Sequence, residues 1–185
     1  MCRTGTPNHT QQNTERWGII VTGLSLTTFT LLHVLISLIG IVAGLIAMIG
    51  WLKSDPSRIP TAIFLATTIL TSVTGFLFPF TKLLPSHIVG MISLVMLAFA
   101  TFALYGRHLS GIWRPIYTVA ALLSLYLNVF VLIVQAFLKI PLLKAWAPTQ
   151  TEPAFLVAQG SAFLLFFVLT ILTTVKFQPV RLAAR

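Results

Sequence analysis

The chain has 185 residues, of which 57% are hydrophobic and 8% charged, against about 25% charged in a soluble domain. This excludes an ordinary soluble fold and implies an integral membrane protein. Twelve Lys and Arg against three Asp and Glu give a net charge of +9; the cations cluster at the ends of apolar stretches, where they report orientation and headgroup contact, not nucleic-acid binding.

In chain order, residues 1–17 are polar and read as a disordered tail. Cys2 is the single cysteine, which leaves no intrachain disulfide, redox pair or thiolate metal site. The apolar run that follows is much longer than a signal-peptide core of ~7 to 15 residues, so the tail reads as uncleaved.

A helix needs about 20 apolar residues to cross the hydrocarbon, and Pro, Gly and charge clusters divide the rest of the chain into five such stretches. The first lies within residues 18–52. Thirty-five residues are long for one crossing and short for two, so a single helix spanning about 27–52 is expected. After the polar "KSDPSRIP" the second span covers about 61–80 and gives way to "TKLLP". The third covers 86–106 and stops at "RHLSGIWRP"; the fourth covers 116–138; the fifth covers 154–175, before a basic tail over 177–185. The expected fold is all-α, a compact bundle of five transmembrane helices occupying residues 18–176.

Five spans put Arg3, Arg16, Lys82, Lys139 and Lys144 on one side, and Lys53, Arg58, Arg107, Arg114, Lys176, Arg181 and Arg185 on the other. Seven cations against five place the second group in the cytoplasm, N-terminus out and C-terminus in.

The stronger polar residues then gather in the non-cytoplasmic half: His33 in span one, Thr74 in span two, His87 at the start of span three, Asn128 and Gln135 in span four, and Gln159 in span five. The other half holds only small hydroxyls, Ser93 among them, which can bond their own helix carbonyls. Residues three and four apart share a helix face. Tyr117, Ala121, Ser124, Asn128, Val131 and Gln135 therefore form one stripe, and His33, Ser37, Gly40 and Gly44 another. Gly40 and Gly44 form a GxxxG pair, which lets helix backbones approach closely. Both amides are expected to face the bundle interior, since an unsatisfied amide in lipid costs several kcal/mol.

The bland reading makes these residues interhelical fasteners worth about 0.6 kcal/mol each. The functional reading makes them a blind polar pocket, because intramembrane polar residues also mark binding sites and pathways. Lys139, Gln150 and Glu152 fall in the proline-rich connection "KIPLLKAWAPTQTEP", which is expected to form the pocket rim or a lid over it.

His33 and His87 on different helices are also the pattern a bis-histidine haem uses, so a haem-carrying electron-transfer subunit is the alternative. No clustered ligands for a metal, no carboxylate pair, no P-loop and no serine-nucleophile motif are present, so no catalytic residue is assigned and an enzyme is not expected. A binding or accessory role follows, toward the bilayer and a lipid-like or small apolar ligand or a partner membrane subunit. A structural bundle and a small transporter are the remaining alternatives.

The segments "TSVTGFLFPF", "LPSHIVG" and "LYLNVFVLIVQAFLKIPLLKAWAPTQTEP" resemble those of small multi-span bacterial inner-membrane proteins to which no activity is assigned. The resemblance covers roughly residues 71–153. It implies a bacterial inner membrane and carries over no site residue.

Overall fold

A computed structural model describes residues 25–55, 58–78 and 85–178. Within them the chain forms α1 (Leu26–Leu52), α2 (Arg58–Gly75), α3 (Pro85–Thr101) continued by a π-helical turn (Phe102–Gly106), α4 (Trp113–Lys139), a short α5 (Pro141–Trp146) and α6 (Pro153–Lys176). No strand occurs among the described residues. Four helical stretches are long and apolar enough to cross a membrane: α1, His87–Gly106, α4 and α6. The two tails expected at 1–17 and 177–185 lie almost wholly outside the described residues.

Local chemistry sets the helix ends. Ser25 caps α1, its hydroxyl accepting from the Thr28 N–H at 3.2 Å, which is why the helix starts at 26. α6 starts on Pro153, whose missing N–H costs nothing in a first turn. The span expected over 61–80 instead starts at Arg58 and ends at Gly75, and "FLF" forms turns closed by Phe76 N–H to Val73 and Leu77 N–H to Thr74. Apolarity continues past Gly75, but Pro79 disfavours helix in the residue before it. The connection after α4, where the sequence gives no periodic signal, contains α5.

α1 and α2 form the most extensive helix pair, α3 packs on α2 and α4, and α4 touches every other helix. One half of the bundle is tightly filled. Trp51, Phe64, Leu97, Tyr117, Leu122, Leu125 and Phe177 are essentially inaccessible there, and Trp51 donates from Nε1 to Thr61 Oγ1 at 3.2 Å. Leu31, Val42, Val95, Leu164 and Val175 point outward, as helices immersed in lipid require.

Gly40 and Gly44 sit where α1 meets α2 and α4. A Cβ at Gly40 would stand 2.9 Å from Thr67 Oγ1; at Gly44 it would stand 2.6 Å from Leu125 Cδ1 and 2.8 Å from Phe64 Cδ2. Both glycines permit backbone approach that any side chain would block.

Candidate functional site

The other half of the bundle is hollow. A cavity of about 100 Å³ lies between α1, α2, α3 and α4, lined by His33, Ser37, Thr71, Ser72, His87, Ser93 and Asn128 together with apolar residues and two glycines. Among the described residues no Lys, Arg, Asp or Glu lines it. Its polarity comes from hydroxyls, one amide and two imidazoles.

Each helix delivers its polar group by its period. In α1, His33 and Ser37 are four apart and lie one turn before Gly40. In α2 the buried residues Thr61, Thr68, Thr71 and Ser72 turn inward, while Ile59, Ile63, Leu70 and Val73 turn outward. In α3, His87 and Ser93 are both buried.

His33 is fixed from α2. Its Nδ1 lies 2.9 Å from Thr74 Oγ1, and the Thr74 hydroxyl lies 2.7 Å from the Leu70 carbonyl. A hydroxyl has one proton to give. With that proton on Leu70, Thr74 accepts from His33, which assigns the Nδ1–H tautomer and leaves Nε2 as an acceptor in the neutral ring. The ring stands edge-on to Phe78 at 5.1 Å. His87 lies beside Phe76, with ring centroids 5.8 Å apart.

Asn128 donates from Nδ2 to Thr68 Oγ1 at 3.3 Å. Thr71 differs from the other threonines of α2. Its hydroxyl is buried in the cavity wall with no hydrogen-bond partner, whereas Thr67 and Thr74 each bond the carbonyl four residues earlier.

Four expectations need correction. Gln135 is exposed. It lies on the same azimuth of α4 as Tyr117 and Ser124, but burial falls along that stripe, because helical phase fixes direction and not the extent of neighbouring cover. Gln159 is buried but lies apart from the cavity, donating from Nε2 to the Phe130 carbonyl of α4 at 3.2 Å. Ser93, assigned to the opposite half, lines the cavity.

The rim residues form no lid; none of them lines the cavity. Lys139 is exposed, and Gln150 donates from Nε2 to the Val134 carbonyl at 3.0 Å. Glu152 accepts from the Thr149 N–H and hydroxyl and from the Thr151 N–H, at 2.9 to 3.1 Å. Desolvation, the largest single influence, pushes the Glu152 carboxyl up, but these hydrogen bonds together outweigh it and hold the group below its ordinary value.

The haem reading meets a size limit. Both histidines face one cavity, yet its volume of about 100 Å³ is below the ~150 Å³ apolar cavity that accepts a single benzene. A four-pyrrole macrocycle does not fit between them. Among the described residues there is no group of three or more His, Cys, Asp or Glu placed to hold a metal ion.

The sequence matches no protein-family model, no curated protein and no solved structure.

Proposed function

We propose that the chain is a five-span membrane protein that binds a small, neutral, polar molecule in the cavity between α1 and α4. The Thr71 hydroxyl carries the reading. A buried hydroxyl without a partner loses about 1 to 3 kcal/mol, and this one borders a space that His33, Ser37, His87, Ser93 and Asn128 also line, among apolar residues. An occupant that donates to His33 Nε2 and bonds Thr71 offsets that cost. A lipid chain would leave these groups unpaired, so a polar ligand is favoured over a lipid-like or apolar one. With no charged side chain among the described residues of the wall, an ion would find no compensating charge there in a low dielectric.

α2 serves as the fifth span in this reading. Eighteen residues at 1.5 Å rise give about 27 Å, close to the ~30 Å hydrocarbon core. Its threonines turn into the bundle while Ile59, Ile63, Leu70 and Val73 turn outward, so its composition understates the apolarity of its outer face. The cavity end faces away from the cytoplasm by the distribution of Lys and Arg, and the resemblance to small bacterial inner-membrane proteins supports that membrane. Reporter fusions after Asp55 and Lys144 test the orientation: Asp55 inside and Lys144 outside are expected, and the reverse would overturn it.

Ser93→Leu tests the binding role. The added side chain fills the cavity, so the variant should fold as stably as the wild type and fail to restore the phenotype of cells lacking the protein. Full restoration by the folded variant would overturn the reading.

A further inference from the structure

At the end of the bundle away from the cavity, the backbone departs from regular helix in a concentrated way. The Arg107 N–H bonds the Phe102 carbonyl five residues back, at 3.0 Å. His108, Leu109 and Gly111 then take φ of 50°, 56° and 53°, a left-handed region that side chains other than glycine adopt at a cost. π-helical turns of this kind are frequent at functional sites. Leu109 anchors the loop by burying its side chain in the core. Arg107 is thereby folded back over the Trp113 ring, 5.5 Å from its centroid, and Arg114 follows in the first turn of α4.

Neither arginine has a protein acceptor among the described residues. Arg114 Nε is buried without one, a polar group that an anion at this end would satisfy. No acidic residue stands in the first turn of α4. Two contacts gather further cations at this end. Ser54 donates to the Lys176 carbonyl at 2.8 Å, which brings Lys53 beside α6, and the Thr118 and Thr174 hydroxyls meet at 3.1 Å, which joins α6 to the start of α4.

We propose that Arg107 and Arg114 bind the phosphate of an anionic phospholipid head group. Planar guanidinium forks suit phosphate oxygens. The exposed Phe102, Tyr105 and Ile112 alongside supply an apolar surface for the attached acyl chains, which a free phosphate would not use. Membrane-facing arginines in a region without carboxylates draw anionic lipid electrostatically.

The test is native mass spectrometry of the full chain in detergent, with equal additions of phosphatidylglycerol, phosphatidylcholine or inorganic phosphate. Phosphatidylglycerol should be retained preferentially. The double variant Arg107→Gln, Arg114→Gln should lose about tenfold of that retention, the factor of one charge-assisted hydrogen bond. Lys139→Gln, Lys144→Gln at the other end should keep it, and circular dichroism should show equal helix content in all three proteins. Arg107→Lys, Arg114→Lys keeps the charge without the fork and should fall between. Equal retention of both lipids, unchanged retention in a folded double glutamine variant, or protection of the site by inorganic phosphate alone would each overturn the assignment.

Discussion

His33 on α1 and Thr74 on α2 meet at 2.9 Å across the most extensive helix pair of the bundle, and the threonine passes its own proton to Leu70. The pair fixes which nitrogen of the imidazole carries hydrogen. It thereby sets the chemistry the ring offers to the cavity: an acceptor at Nε2.

Thr74→Val removes the acceptor and frees the ring. Nitrogen-15 spectra of labelled histidine should show the Nδ1–H tautomer for His33 in the wild type and a mixture in the variant. The cost in stability should be about 0.6 kcal/mol and no more than about 1.7 kcal/mol, the range measured for interhelical hydrogen bonds in a membrane. A wild-type ring protonated at Nε2 alone would contradict the assignment.

Asn128→Leu should lose a similar amount, and so should Thr68→Val. If the two act through their 3.3 Å bond, a double-mutant cycle should return a coupling of about 0.5 kcal/mol or more. Additive losses would show that each side chain acts separately.

Gly44→Ala places a methyl against Leu125 and Phe64, two side chains packed in the filled half of the core. A loss of about 1 to 3 kcal/mol is expected from overpacking, read as a lower unfolding midpoint in detergent. Gly40→Ala should also cost stability, because the nearest atom, Thr67 Oγ1 at 2.9 Å, can turn aside only by breaking its bond to the Ile63 carbonyl. Equal midpoints for Gly44→Ala and the wild type would contradict the packing described.

These glycines were legible in the sequence because GxxxG states a backbone requirement that needs no knowledge of the partner. His33 and Asn128 were legible by helical period. Depth was not. Ser93 was given to the wrong half, since a span drawn by apolarity cannot say how its helix is offset against its neighbours. Gln135 shares Asn128's azimuth but lies where less protein covers it. The apolar run after Gly75 hid the end of α2, and α5 is too short for a periodic signal. Thr71 could not be told from Thr67 or Thr74, because whether a threonine bonds its own helix or is left over is decided by side-chain geometry.

Glu152 gives a pH dependence with a defined sign. Its carboxyl is held below its ordinary value of 4.5 by Thr149 and Thr151, so the contribution of this turn is fully present above that value and is lost as the pH falls through the lowered one. Thermal midpoints of wild type and Glu152→Gln should differ at neutral pH and converge in acid. A difference that persists unchanged in acid would show that the carboxylate charge is not responsible.

One half of the bundle is filled while the other holds a polar cavity, so a small molecule should enter only the second. Single cysteines at Ser93 and Ser124, in a Cys2→Ser background, compare the two directly, since both serines are buried, at 4% and 0% exposure. Membranes carrying each variant are treated with the small, neutral methyl methanethiosulfonate and labelling is counted by mass. Rapid modification is expected at Ser93→Cys and none at Ser124→Cys. Protection of Ser93→Cys equal to that of Ser124→Cys would contradict it.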